Sequence, residues 1–173
     1  MRWRDVIVPL VLTLLPLTAE PAQYGPRVRT ANVASLPTPL PYPYDEKADA
    51  GARVAEAFSR AKNSGKRVLI DFGGNWCPDC HVLDGYFHDA ANRPLLKADF
   101  LLVHVNIGRL DQNLDLAERY QIPLNKGVPA LAVLDSDGKL LYSQRTGEFE
   151  AMRRMQSSAV TAFLTQWKPA ALR

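Results

Sequence analysis

The chain holds two cysteines, Cys77 and Cys80, three positions apart in Trp76-Cys77-Pro78-Asp79-Cys80. That spacing suits thiol–disulfide exchange, in which one thiolate attacks a disulfide and a second thiol resolves the mixed disulfide. Pro78 fits the first position of a helix, where its missing N–H leaves nothing unpaired. Cys77 then falls at the N-cap and Cys80 one turn in. A thiolate at a helix N-terminus meets unpaired backbone N–H groups and the positive end of the helix dipole, which favour it. Cys77 is therefore the candidate nucleophile and Cys80 the candidate resolving thiol. A purely structural disulfide is the bland alternative, but so short a loop removes little chain entropy. Asp79 suits a helix first turn through the dipole. It also brings negative charge near Cys77, which disfavours the thiolate and makes the disulfide less oxidising.

A second chemistry fits the same residues. Cys77-Pro78-Asp79-Cys80-His81 meets the attachment pattern of c-type haem, with Met152, Met155 or His88 available as a second axial ligand. Haem attachment has no need of a buried strand before the cysteines, of Trp76, or of Val128-Pro129. A zinc site lacks a second ligand pair. The expected redox group is the Cys77–Cys80 pair itself, with no other cofactor and no metal.

These residues need elements to position them. Val68-Leu69-Ile70-Asp71-Phe72 is short, partly β-branched and almost uninterruptedly apolar, and reads as a buried strand leading into the cysteines. Before it, Asp45 to Ser64 places Val54, Phe58 and Ala61 on one helical face, with Gly65 as a fitting terminator. The active-site helix runs from Cys77 towards His88, with Pro94 beyond its end. Phe100 to Ile107 is a second apolar strand, and Leu114 to Tyr120 a short helix stopped by Pro123. Ala130–Leu134 and Leu140–Ser143 flank Asp135-Ser136-Asp137-Gly138, a hairpin signal. Met152, Met155, Val160, Phe163, Leu164 and Trp167 form the stripe of one last helix. The order is helix, strand, helix, strand, helix, strand, strand, helix. Right-handed crossovers make the first strands parallel and the hairpin supplies antiparallel ones. The expectation is an α/β fold with a central mixed β-sheet flanked by helices on both faces.

From about Lys66 to Trp167 the chain resembles the thioredoxin superfamily. The resemblance rests on the cysteine motif, on Asp71 six residues before Cys77, and on Gly127-Val128-Pro129 before Ala130–Leu134. Asp111-Gln112-Asn113 after the second strand and Gly147 before the last helix agree with it. Tyr86-Phe87-His88-Asp89 and Leu101 to Ile107 are similar to the exported thioredoxin-like domain of DsbD-type thiol:disulfide interchange proteins. The resemblance implies that Asp71 is a buried carboxyl near Cys80. Burial makes a carboxylate hold a proton more readily, so Asp71 is the candidate acceptor when Cys80 attacks. The family often pairs that acid with a lysine; His104 stands at the matching position here. The resemblance further implies a cis Pro129, with Val128 backbone groups open to an extended substrate strand. Trp76, Pro78 and Asp79 complete the expected substrate-contacting set.

The remaining composition bounds the setting. The chain has 173 residues, 47% hydrophobic and 23% charged, ordinary for one globular domain. Net charge is +3 without a dense Lys/Arg cluster, so nucleic acid is not an expected partner. Residues 1–19 resemble a secretory signal peptide: Arg2 and Arg4 precede an apolar run from Val6 to Ala19. Leu17 fits the small-residue cleavage rule poorly, so an uncleaved anchor is the alternative, and with it membrane attachment. Residues 20–44, with Pro21, Pro26, Pro37, Pro39, Pro41 and Pro43, read as a linker or arm. Residues 45–173 then form the thioredoxin-like domain. The function expected is an exported, periplasmic thiol–disulfide oxidoreductase that reduces protein or small-molecule disulfides and is recharged by an upstream dithiol donor. The rivals are the haem protein and a redox-inert thioredoxin-fold interaction module.

Overall fold

The computed structural model describes residues 41–170. The expected leader and most of the proline-rich arm lie outside the described residues. Helix α1 (Ala50–Ser64) starts where the Asp49 carboxylate accepts the Ala52 N–H at 2.9 Å, an N-cap. It ends at Gly65, whose N–H bonds the Ala61 carbonyl. Val54, Ala57 and Ala61 form its buried stripe at spacings of three and four residues. Strand β1 (Arg67–Gly73) is buried throughout after its first residue. Then come α2 (Pro78–Phe87), α3 (Asn92–Asp99), β2 (Phe100–Asn106), α4 (Leu114–Arg119), β3 (Ala130–Leu134), β4 (Leu140–Ser143) and α5 (Ser157–Trp167). Short 3-10 turns at Leu124–Lys126 and Met152–Arg154 interrupt the later loops.

The four strands lie in the order β2-β1-β3-β4. The crossover through α2 and α3 returns β2 parallel to β1, while β3 runs antiparallel to both β1 and β4. Side chains alternate across the sheet. Val68, Ile70 and Phe72 face α1 and α4, where Val54, Ala61, Leu116 and Ala117 cover them. Leu69, Leu131 and Val133 face α2 and α5, where Leu83, Phe87, Val160 and Leu164 cover them. This is the mixed sheet with helices on both faces that the sequence predicts. Leu69, Ile70 and Phe72 are each 0% exposed. Each such burial contributes about 1.5–3 kcal/mol, so β1 is a fixed rail and the loop after it inherits that fixity.

Two elements differ from expectation. Pro94 lies beyond α2 as expected, but it belongs to a helix that the sequence reading does not anticipate: it is the third residue of α3, in the first turn, where an N–H has no helical partner to lose. Asp89 starts that helix by accepting the Ala91 and Asn92 N–H groups, both at 3.0 Å. The expected last helix is divided: Met152 belongs to a separate turn, and α5 begins only at Ser157. Met152 still packs with Val160 and Leu164, because the turn folds back onto the same face of the sheet.

Candidate active site

Pro78 is the first residue of α2 and Cys77 is its N-cap, in extended backbone conformation. The Cys77 sulfur accepts the Cys80 N–H at 3.1 Å. The two cysteines form a disulfide with Cα atoms 5.2 Å apart. Neither is open to bulk water: Cys77 is 3% exposed and Cys80 is 0% exposed. His81 points inward, with Nε2 2.7 Å from the Asn75 carbonyl. Both sulfurs are bonded to each other, and this ring nitrogen is engaged by the backbone.

The parallel register of β1 and β2 sets Asp71 beside His104. Asp71 is fully buried, and its Oδ2 receives two groups: the Tyr44 hydroxyl at 2.7 Å and His104 Nδ1 at 2.9 Å. Its Oδ1 is buried with no partner among the described residues. Tyr44 comes from the segment that reads as arm, yet it is 1% exposed and belongs to the core. Asn75 holds that segment down, donating Nδ2 to the Tyr44 carbonyl at 2.8 Å. A Cβ on Gly73 would collide with the Tyr44 hydroxyl and with Cys80 Sγ alike. Glycine at the end of β1 thus lets Tyr44 and Cys80 share one spot. Burial and the charge of Asp71 push the Tyr44 phenol well up, so it stays a neutral donor. Asp84, one turn beyond Cys80, lies 3.6 Å from His104 Nε2. Burial raises its carboxyl pKa, against the lowering charges of His104 and His88. Burial lowers the His104 pKa, but the hydrogen bond and charge of Asp71, with the charge of Asp84, outweigh it, and the net direction is up.

The remaining expected residues divide. Trp76 is 41% exposed beside the cysteines, its Nε1 donating to the Gly108 carbonyl at 2.5 Å. The Arg109 guanidinium stands 5.3 Å over its ring. Asn113 Nδ2 bonds the Asn106 carbonyl at 2.7 Å and Gln112 accepts from Asn106, which folds this loop against Trp76. The Val128–Pro129 bond is cis, and the Val128 carbonyl lies 3.6 Å from Cys77 Sγ. Asp79 is not turned towards solvent. Its two oxygens accept the Arg153 backbone N–H at 2.8 Å and Nε at 3.0 Å, so it ties α2 to the Met152–Arg154 turn. Gln144, unremarked in the sequence and 1% exposed, accepts the Leu131 N–H at 3.2 Å and donates to the Pro129 carbonyl at 3.0 Å. A glutamine next to a strand end carries no local signal of that task; neither does a tyrosine among prolines.

A thioredoxin-like family profile matches residues 49–136, just over half of the chain. The chain belongs to the thioredoxin-like family. Among solved structures, this thioredoxin-like chain is similar to a disulphide isomerase from Xylella fastidiosa Temecula1. The identity is 37% and the TM-score 0.71, over 73% of this chain and 97% of that one. It is similar to the thioredoxin H-type of Fagopyrum esculentum, 31% identical over 46% of this chain and 60% of the relative. It is also similar to the thiol:disulfide interchange protein DsbD of Pseudomonas fluorescens, 31% identical over 67% of this chain. The chain spans 60% of the first of these two relatives and 18% of the second. In this thioredoxin-like fold the Cys77–Cys80 disulfide is the redox centre, and it supports thiol–disulfide oxidoreductase activity. Among the described residues no group of His, Cys, Asp and Glu is placed to hold a metal ion. No helix among them is long and apolar enough to cross a membrane.

Proposed function

We propose that the chain is an exported, periplasmic reductant of protein disulfides, recharged by an upstream dithiol donor. The observation that carries this is the asymmetry of the pair. Cys77 sits at the helix N-cap, its sulfur held by the Cys80 N–H and lying against the Val128 carbonyl. Cys80 is sealed behind it, beside the Tyr44–Asp71 pair. Reduced Cys77 attacks a substrate disulfide as the thiolate; one substrate sulfur leaves with the bonding electrons and the other stays bound to Cys77. Cys80 gives its proton to the Asp71 carboxylate and attacks Cys77 Sγ. The Cys77–substrate bond breaks, the second substrate thiolate leaves to take a proton from water, and the chain ends as the disulfide. Trp76 and Val128 flank the point of attack, and the Val128 backbone offers pairing to an extended substrate strand. Pro78 and Asp79 act one step back, by starting α2 and tying it to Arg153.

Direction of flux follows from charge. Asp71 and Asp84 are both buried near the pair, with His104 alone between them. Nearby carboxylates destabilise a thiolate, and a pair whose reduced form is not stabilised is a reductant rather than an oxidant. The expected leader at residues 1–19 and the similarity to DsbD support the exported setting. The reduction potential of Cys77–Cys80 tests the proposal: a value near about −270 mV supports it, and one near about −120 mV overturns it. The similarity to a disulphide isomerase favours a second reading, because isomerisation starts with the same attack. A Cys80→Ser chain that still unscrambles a mispaired protein would make isomerisation the main activity.

A further inference from the structure

Asp79 is the acidic residue in the first turn of α2, two positions after Cys77, and it is 8% exposed. An acid at that place ordinarily turns to the unpaired N–H groups of the helix start. Here both of its oxygens go elsewhere. Oδ1 accepts the Arg153 backbone N–H at 2.8 Å and Oδ2 accepts Arg153 Nε at 3.0 Å, so a single residue holds the whole carboxylate. The N–H groups of the helix start stay with Cys77. Its sulfur accepts the Cys80 N–H at 3.1 Å, and its carbonyl accepts the Cys80 and His81 N–H groups at 3.1 and 3.3 Å. Pro78 contributes no N–H, so donors at this helix start are few and their allocation matters.

The turn that delivers Arg153 is anchored independently of this ion pair. Met152 is 0% exposed and packs with Val160 and Leu164. The Met155 carbonyl accepts the Tyr86 hydroxyl at 3.0 Å, which fastens the end of the turn to α2. The Arg154 N–H bonds the Ala151 carbonyl at 2.9 Å. The Arg153 side chain itself is 50% exposed. The bond from its backbone to Asp79 Oδ1 therefore survives a change of side chain. What the guanidinium adds is the second bond and the compensating charge, and Asp79 in turn holds it more firmly protonated, through the hydrogen bond first and the charge second.

Resting on Cys77 as the attacking sulfur proposed above, we propose that Arg153 is a positioning residue that sets the potential of the Cys77–Cys80 pair by holding the Asp79 carboxylate off the helix start that Cys77 uses. The charge that the motif sets beside Cys77 is thus masked. In the reduced chain Cys77 carries a thiolate that the N–H groups of the helix start favour. A carboxylate released from the guanidinium acts against that thiolate twice, as an uncompensated like charge and as a rival acceptor for the same N–H groups. Destabilising the reduced form makes the pair more reducing. No electron or proton passes through Arg153; it changes only how well the reduced form is stabilised. Asp71 and Asp84 also bear on the pair, but their partners are Tyr44 and His104, which a change at Arg153 does not touch. The difference between Arg153 variants therefore reports on Asp79.

The test is the redox equilibrium of the full chain in dithiothreitol buffers at fixed neutral pH, with the reduced fraction read by thiol alkylation and mass spectrometry. Arg153→Gln is expected to move that equilibrium about tenfold towards the disulfide, a potential about 30 mV more negative. A structural tie and nothing more would lower the unfolding midpoint and leave the potential where it was; an unchanged or less negative potential overturns the proposal. The Asp79→Asn chain has no carboxylate to mask, so adding Arg153→Gln to it should shift the potential less than half as far. A larger shift there would assign the effect to the arginine charge acting directly, and would overturn the proposal too. Arg153→Met, which keeps the aliphatic stem, repeats the test should Arg153→Gln not fold. Failure of both to fold would reduce the contact to a structural tie and count against the proposal. The wild-type potential judges the reductase and the difference between variants judges the clamp, so either can fail alone.

Discussion

At the scale of single residues, the function proposed above gives the two sulfurs different tasks because they have different neighbours. Cys77 is at a helix end against the Val128 carbonyl, and Cys80 is one turn in, enclosed. Cys80→Ser is expected to accumulate a mixed disulfide through Cys77, and Cys77→Ser almost none. Non-reducing gels and mass spectrometry of the trapped species check this, and equal trapping by both would end the assignment. Tyr44→Phe keeps the buried ring but removes a hydrogen bond to a buried carboxylate, the kind worth about 1.5–3 kcal/mol. Urea unfolding should register a loss of about 2 kcal/mol, and an unchanged midpoint would mean that the hydroxyl contributes nothing. The cysteines, their helix start and Asp71 are legible in the sequence because a motif and one strand, a few residues long, define them. Tyr44 is not legible. Its neighbours are prolines, which describe an exposed linker, and its burial is decided by Asp71, 27 positions away.

At the scale of elements, the sheet was readable and the ties between elements were not. Short, nearly continuous apolar runs and the Asp135–Gly138 turn announce β1 to β4, since those signals lie within each segment. Helix α3 hides behind Asn92-Arg93-Pro94, polar residues and a proline whose tolerance depends on standing in the first turn. The bond from Asp79 to Arg153 spans 74 positions, and no local pattern foretells it. Gln144 belongs with these long-range ties, for its side chain pairs the Leu131 N–H and the Pro129 carbonyl at the start of β3. Gln144→Ala leaves two interior polar groups without these partners, each at a cost of about 1–3 kcal/mol. The expected outcome is a lower unfolding midpoint together with slower reaction towards protein disulfides than towards a small disulfide, because the Val128 backbone loses its support. Equal slowing towards both would show that the segment does not contact the larger substrate.

For the whole molecule, the buried acid and imidazole cluster links stability to pH. His104 and Asp84 both have pKa values raised above their ordinary 6.5 and 3.8, so the folded chain holds protons that the unfolded chain releases. Unfolding free energy therefore falls as pH rises. The His104 contribution is complete below its ordinary 6.5 and is lost as pH climbs through its folded value; that of Asp84 is complete below 3.8 and lost in the same sense. The urea midpoint of the wild type should decline from about pH 6 to about pH 8, and that of His104→Gln should decline less. An equal decline in both would place the titration elsewhere. One feature of the same region reaches beyond stability. Helix α2 is fastened at its first turn through Asp79 and Arg153, and at its middle through Asp84 and His104. Near its end, Asn92 bonds both the Tyr86 carbonyl and Ser157. A helix held at three points is expected to keep its place whichever way the sulfurs are joined. On the function proposed above, protein partners would then meet nearly the same contour on the charged and the spent carrier, and both forms would compete for one docking face. Throughput would be set by the ratio of the two forms, with a pool of spent carrier acting as an inhibitor of the charged one.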